Sequence, residues 1–168
     1  WGIYRTYFES NIDMVKAWQN IFRITNRIAF RVAVKVQQET QEPILAWFKV
    51  YLERDNDLRR AENHFIREGI TISGIKSLTQ RDLRGMVVID QVPLTTLLGD
   101  SENPAHTEWQ RDSLHFKNKY THGPAVLSFV KNSLKEIAIA IIATDKVVDK
   151  DLLKDIFYIE MEPETETE

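Results

Sequence analysis

The fold class is decided by residues 28–53, IAFRVAVKVQQETQEPILAWFKVYLE. Residues 28–36 alternate apolar and polar side chains, and residues 44–53 do the same. Such alternation is typical of β-strands with one buried face. The polar loop between the two segments predicts that they pair as an antiparallel hairpin.

Two further segments downstream have strand character. Residues 64–73, HFIREGITIS, predict a third strand that bends at Gly69. Residues 83–90, LRGMVVID, predict a fourth strand. The uninterrupted apolar run 86–89 favours a central position in the sheet for this last strand.

Helical patterns precede and follow the strands. Residues 11–24 place apolar side chains on one helical face. Asn103 followed by Pro104 is typical of a helix start, and apolar residues recur at helical spacing as far as Tyr120. Pro124 predicts a new helix, a capping box at 133–136 predicts the next, and residues 149–157 predict a short last helix.

The order of helix, four strands and then helices predicts an α+β fold. We expect a two-layer α/β sandwich with a mostly antiparallel sheet of four or more strands. The predicted organisation is a helical lead-in at 1–27, an α+β domain at 28–158 and a disordered acidic tail at 159–168.

Composition narrows the function classes. The chain has 168 residues, a net charge of −3 and 43% hydrophobic residues, which is enough for one core. It contains no cysteine, so thiolate chemistry is excluded. No apolar run approaches the ~20 residues of a membrane span, and no signal peptide is seen, so we expect no membrane contact and a cytoplasmic protein. The first residue is Trp1 and not methionine, which indicates a piece of a longer chain.

Residues 99–111 form the segment with the most reactive side chains. Asp100, Glu102 and His106 are of the types that bind divalent cations, which would suit a metal-assisted hydrolase or nuclease. The alternative is turn and cap chemistry at a helix start. Ser101 lacks the G-x-S-x-G elbow of a nucleophilic serine.

Arginines and lysines suggest a second kind of site. A nucleic-acid-binding patch would draw on the strand arginines Arg67 and Arg84, whereas the alternative is a set of solvated surface residues. The acidic net charge argues against the former. The other members of the set are Arg59, Arg60, Lys76 and Arg81.

Residues 64–94 resemble part of the middle domain of the ninety-kilodalton heat-shock chaperone. The matching residues are Phe65, Ile66 and Arg67, followed by Arg84, Gly85, Val87, Asp90, Pro93 and Leu94. The longer stretch 28–142 is similar to bacterial chains that begin with a histidine-kinase-like (GHKL) ATP-binding domain. The motifs LLGDSENPAHTEW at 97–109 and GPAVLSFVKNS at 123–133 carry that similarity.

The resemblance implies a non-catalytic transducer-type middle domain of a larger ATPase. Its partner would be the upstream nucleotide-binding domain of the same chain, with a separate protein as a further partner, and ATP and Mg would bind in the parent chain and not in this segment. The family's phosphate-contacting arginine corresponds to Leu98 here. Lys76, Arg81 and Arg111 are the remaining candidates for that contact. We expect interaction surfaces to involve Arg67, Arg84, Asn103, His106 and Glu108.

Overall fold

The computed structural model describes residues 1–142. The predicted helix at 149–157 and the predicted acidic tail at 159–168 lie outside the described residues. The helices are α1 (Gly2–Ser10), α2 (Ile12–Thr25), α3 (Leu94–Asp100), α4 (Gly123–Lys131) and α5 (Ser133–Ile142). The strands are β1 (Arg27–Val36), β2 (Ile44–Arg54), β3 (Glu62–Arg67), β4 (Ile70–Thr71) and β5 (Leu83–Ile89).

The strands form one five-stranded sheet in the order β1-β2-β5-β3-β4. Every neighbouring pair is antiparallel except β3 and β5, which run parallel. The predicted α+β class, the mostly antiparallel sheet and the hairpin of β1 and β2 are therefore confirmed. The strand with the continuous apolar run, β5, lies at the centre, as predicted.

The sheet has one covered face and one open face. Alternate residues of β2 and β5 are fully buried, among them Phe48, Val50, Val87 and Ile89. These side chains meet α5 and its neighbours, and Gly85 makes room for Leu134 there, because a Cβ at Gly85 would lie 2.6 Å from Leu134 Cδ2. We call this side the helix face of the sheet.

The two N-terminal helices pack against the same layer. Trp1 stacks on Phe129 with ring centroids 4.5 Å apart, and its indole nitrogen donates to the Phe129 carbonyl oxygen at 2.8 Å. The Arg5 guanidinium binds both carboxylate oxygens of Glu136, at 2.8 and 2.5 Å, which ties α1 to α5. Phe22 of α2 is buried in the core.

Three sequence-based predictions about local structure are wrong. The first is the single bent strand at 64–73, which is instead a tight hairpin of β3 and β4. Glu68 and Gly69 form its turn with φ values of 47° and 83°. The left-handed backbone at both positions reverses the chain where a bend was expected, and glycine is the residue that tolerates this conformation best.

The second wrong prediction is the helix that was expected to begin at Asn103. The Asn103 side chain accepts hydrogen bonds from the Thr107 and Glu108 N–H groups, at 2.8 and 3.3 Å, and so closes a local turn. His106 has a φ of 53°, which a helix does not allow. The apolar residues that suggested helical spacing, Trp109 and Tyr120, are buried by tertiary contacts instead.

The third wrong prediction is the capping box at the start of α5, although the helix itself is confirmed. The Ser133 hydroxyl is buried and has no hydrogen-bond partner within residues 1–142. The Glu136 carboxylate binds Arg5 of α1, so it does not turn back towards its own helix end. Tertiary ion pairing has displaced the local cap.

No helix within residues 1–142 combines the length and the apolar character that crossing a bilayer demands.

Candidate interaction surface

The 101–110 loop has two arms that are hydrogen-bonded to each other, and it packs against β3. Gln110 N–H donates to the Ser101 carbonyl oxygen at 2.6 Å, and Asn103 N–H donates to the Glu108 carbonyl oxygen at 3.1 Å. The loop is held to the sheet by an ion pair between Arg67, at the end of β3, and Glu102. The side chains of Arg67 and Glu102 are only 10% and 2% exposed. This pair is therefore a buried structural clamp.

Further donors surround the Glu102 carboxylate. His106 Nδ1 lies 2.6 Å from one oxygen, and Trp109 Nε1 donates to the other at 3.3 Å. Burial raises the pKa of Glu102, but the hydrogen bonds from Arg67, His106 and Trp109 outweigh it and hold the pKa below its ordinary value of 4.5. Glu102 is thus an acceptor already saturated by protein donors.

Acid is expected to weaken the fold partly through Glu102. Because its pKa is lower in the folded than in the unfolded chain, the ionised carboxylate stabilises the fold above pH 4.5, and this contribution is lost as the pH falls through the folded pKa. As the pH falls below 4.5, we expect the free energy of unfolding to fall less steeply in Glu102→Gln than in the unsubstituted chain. Urea unfolding at each pH measures it, with Glu108→Gln as control. Equal slopes for Glu102→Gln and the unsubstituted chain would contradict the clamp.

The loop also contacts the backbone of Gly74, in the segment between β4 and β5. Gly74 N–H donates to the Thr107 carbonyl oxygen at 2.6 Å. A Cβ at position 74 would lie 2.6 Å from that same oxygen. Only glycine allows this close approach of two backbone segments.

Gly74→Ala is expected to reduce the free energy of unfolding by about 1–3 kcal/mol, since the backbone carbonyl of Thr107 must move away from the new methyl group. Chemical denaturation measures the loss. Gly2→Ala is the matched control, because nothing lies within 4 Å of a Cβ at that position. If both alanine variants unfold like the unsubstituted chain, the loop does not pack against Gly74.

The other reactive side chains of the 99–111 segment are also engaged. Asp100 accepts hydrogen bonds from the Tyr120 hydroxyl and from Lys119 Nζ, both at 2.5 Å. Burial and the Asp100 carboxylate raise the pKa of Tyr120 above its ordinary value. The Ser101 hydroxyl is fully buried and donates to the Leu98 carbonyl oxygen at 2.7 Å.

The proposed metal ligands Asp100, Glu102 and His106 are therefore bonded to protein partners. Asp100 faces Tyr120 and Lys119, whereas Glu102 faces Arg67 and His106. Across residues 1–142 the structure brings together no group of three or more metal-binding side chains. Glu108 is exposed and accepts a hydrogen bond from the Gln110 amide at 2.9 Å.

The candidate cations lie in different surroundings. Arg67 is buried on the helix face, whereas Arg84 of β5 lies on the opposite face, so the two strand arginines do not form a shared patch. Lys76 and Arg81 are exposed in the segment between β4 and β5. Arg111 is exposed near Lys131, whose pKa is lowered by burial and then by the Arg111 charge.

The open face of the sheet carries the side chains that point away from the helices. The strand register arranges them in cross-strand rows. In the strand order β1, β2, β5 and β3, the first row is Arg27, Glu53, Arg84 and Glu62, and the second row is Ala29, Tyr51, Met86 and His64. The third row is Arg31, Lys49, Val88 and Ile66. The fourth and fifth rows involve only β1 and β2, and they are the pairs Ala33–Trp47 and Lys35–Leu45.

The first row is a ladder of alternating charge. Arg84 is its hub, since its guanidinium binds Glu62 at 2.6 Å, Glu53 at 3.1 Å and Asp55 at 3.3 Å. Arg27 binds Glu53 from the other side at 2.9 Å. The hydrogen bond to Arg84 lowers the pKa of Glu62 below its ordinary value. This end of the open face is charged but balanced.

Next to the ladder lies an apolar strip formed by Tyr51, Met86, Val88 and Ile66, which we call the central strip. Its members are half-buried or exposed although they lie in the middle of the sheet. A shallow cleft of about 460 Å³ opens between the strip and the ladder, lined in part by Tyr51, Met86 and His64. Tyr51 is 37% exposed, and Leu134 of α5 meets the sheet from the other side, at Gly85.

The far end of the open face is positively charged. Arg31 lies over the Trp47 ring at 4.8 Å from its centroid, and Lys49 binds Asp90 at 3.0 Å. Lys35 is exposed two rows further along than Arg31 and Lys49. We call Arg31, Lys35, Lys49 and Trp47 the basic corner. The backbone N–H of Trp47, which lies beyond the last hydrogen-bonded residues of β2 and β5, donates to the Gln91 side chain at 3.0 Å.

The sequence of β2 contains a signal for this surface. Leu45, Trp47 and Tyr51 occupy the same phase of the second strand as the charged residues Lys49 and Glu53. Large apolar residues in the outward phase of two neighbouring strands predict an outward face that is not fully solvated. The acidic loop, residues 99–111, drew the site predictions instead because reactive side chains are densest there.

No family model, curated protein or solved structure matches this chain.

Proposed function

We propose that this domain is a non-catalytic, transducer-type middle domain that docks on the nucleotide-binding domain of a GHKL-type ATPase chain through its open sheet face. The observation that carries the proposal is the central strip, an apolar surface in the middle of the sheet that residues 1–142 leave uncovered. Contiguous exposed apolar surface bordered by charge is typical of interaction sites.

The dimensions of the open face suit a domain contact. With about 4.8 Å between strands and about 3.3 Å per residue, the four strands β1, β2, β5 and β3, which have six to eleven residues each, cover roughly 500 Å². A standard protein interface buries about 800 Å² on each partner, so the face with its neighbouring loops supplies most of one side.

The charged ladder would fix the orientation of the partner. Its arginines and glutamates are held by one another, so their positions are set before contact. Preorganised charges at the edge of an interface favour one docking geometry and disfavour others. A domain that passes on the nucleotide state needs such a defined geometry.

The side chains of the acidic loop support the same proposal. Glu102 neutralises buried Arg67, and Asp100 accepts from Tyr120, so each carboxylate stabilises the fold. The resemblance to GHKL chains supplies the identity of the partner, and ATP with Mg would bind in that partner. The proposal places the chain in the cytoplasm, where ATP is available.

The proposal predicts that the 168-residue chain alone neither binds nor hydrolyses ATP. Calorimetric titration with ATP and Mg, and phosphate release over hours, measure these two properties. We expect no heat of binding and no release above buffer. Turnover that survives further purification and disappears in Glu102→Gln would contradict the proposal in favour of chemistry at the acidic loop.

A second candidate function is the binding of single-stranded nucleic acid at the basic corner. The stacked pair of Arg31 and Trp47 favours it, since aromatic side chains next to cations bind unstacked bases. Fluorescence anisotropy with a labelled oligonucleotide tests it. Binding that weakens with salt and disappears in the double variant Arg31→Ala, Lys35→Ala would support it, and no binding at low salt would end it.

A further inference from the structure

The basic corner carries positive charge that the described residues do not neutralise. Neither Arg31 nor Lys35 forms an ion pair within residues 1–142. Both are exposed, and they point to the same side of β1 because they are four residues apart on one strand. Unpaired cations on an acidic chain favour an anionic occupant.

The corner also offers apolar surface. Leu45 is 52% exposed and Trp47 is half-buried, and both belong to the outward phase of β2. An occupant that uses the whole corner therefore needs acidic side chains and apolar side chains close together. A uniformly charged polyanion would leave Leu45 and the edge of Trp47 in water.

The chain itself contains a segment with this chemistry. Residues 157–168 read FYIEMEPETETE, with three apolar residues followed by glutamates at every second position from Glu160 to Glu168. In an extended conformation, side chains at every second position fall on one side and are about 7 Å apart. Arg31 and Lys35 are about 13 Å apart by the same arithmetic, which is two glutamate spacings.

The chain between α5 and the acidic segment is long enough for that segment to reach the basic corner. Seventeen residues, 143–159, lie between Ile142, the last residue of α5, and Glu160, which makes 18 residue steps. An extended chain of that length spans up to about 59 Å. A folded unit of 142 residues has a radius of gyration of about 14 Å, so the segment can reach any point of its surface.

We propose that residues 157–168 bind the basic corner of the same chain, with their glutamates paired to Arg31 and Lys35 and adjacent to Lys49, which also binds Asp90, and with their apolar residues against Leu45 and Trp47. This contact does not depend on the proposed docking function. It would nevertheless compete with any partner that approaches this end of the open face, and screening by salt would weaken it.

Zero-length crosslinking of the 168-residue chain tests the proposal. A carbodiimide joins a lysine amine and a carboxylate in direct contact as an amide, and takes up the water that is lost. We expect crosslinks from Lys35 and Lys49 to glutamates of 160–168, identified by mass spectrometry of peptides. Exposed Lys16, Lys76 and Lys117 provide the background level.

Two variants and one mixing experiment make the outcome decisive. Arg31→Glu is expected to reduce the crosslinks from Lys35 and Lys49 at least about fivefold, as is about 1 M salt, whereas Arg23→Glu on α2 should leave them unchanged. Crosslinks spread evenly over all exposed lysines would overturn the proposal. In an equal mixture of nitrogen-15-labelled and unlabelled chains, an intramolecular contact yields almost no mixed crosslinks, and mixed crosslinks that reach about half of the total would also overturn the proposal, in favour of a second copy of the chain.

Discussion

Replacing Glu102 by leucine is expected to lower the free energy of unfolding by about 3–5 kcal/mol, because the substitution leaves the Arg67 guanidinium buried without its counter-charge. The Arg67 side chain is 10% exposed, and water cannot replace the lost carboxylate at that depth. Glu68, which binds the outer side of Arg67 at 2.6 Å, is half-exposed and compensates for only part of the loss. Urea unfolding followed by circular dichroism measures the change.

The control for this prediction is Glu108→Leu, which changes an exposed glutamate of the same loop and should alter stability by no more than about 0.5 kcal/mol. The double variant Arg67→Met, Glu102→Leu should recover a large part of the loss, since an apolar pair no longer buries a single charge. If Glu102→Leu and Glu108→Leu are equally stable, the clamp does not hold the loop to β3.

Truncating Phe65 to alanine is expected to cost about 3–5 kcal/mol of unfolding free energy, because it opens a cavity in the helix face of the sheet. Phe65 is fully buried and meets Trp109 edge to ring, with centroids 5.9 Å apart. The loss should therefore include the contact that holds the 101–110 loop against β3. Chemical denaturation measures the loss of stability.

The matched control lies one residue further along the same strand. Ile66 points to the open face, where it forms part of the central strip and is only half-buried. Ile66→Ala should cost about 1 kcal/mol, several times less than Phe65→Ala. Similar losses at both positions would mean that the open face is packed within the 168-residue chain, which contradicts its role as a docking surface.

The fold could be predicted where a single pattern of apolar and polar side chains ran through a long segment. The alternation in residues 28–36 and 44–53 has a single interpretation, and β1 and β2 follow it closely. The apolar run at 86–89 likewise placed β5 at the centre of the sheet. In these segments local pattern and tertiary burial agree, so the sequence pattern was sufficient.

Prediction failed where side chains form tertiary contacts, because the spacing of apolar residues in the sequence does not show them. Trp109 and Tyr120 are apolar at helical spacing, yet their burial comes from Phe65 and from the segment around Asp100. Helix α3 was missed because Thr95, Thr96 and Gly99 are poor helix formers. Its formation depends on Leu94, Leu97 and Leu98, which are completely buried in the core.

The candidate site was less predictable than the fold. The acidic loop contains residue types that bind metals, and the sequence therefore suggested a metal site. The partner that each of these side chains contacts depends on residues that are distant in the sequence. Arg67 lies 35 residues from Glu102 in the chain, and nothing local indicates their pairing. The open face, in contrast, follows from the outward phase of the strands once the order β1-β2-β5-β3 is known.

The docking role of the open face is tested most directly by nuclear magnetic resonance. The nitrogen-15-labelled 168-residue chain would be titrated with the nucleotide-binding domain of the longer chain that the proposal requires. We expect amide shifts concentrated at Tyr51, Met86 and Val88, and their loss when Tyr51→Glu and Met86→Glu are introduced together. Shifts confined to the helix layer or to the 101–110 loop, with no response at the central strip, would contradict the proposed function.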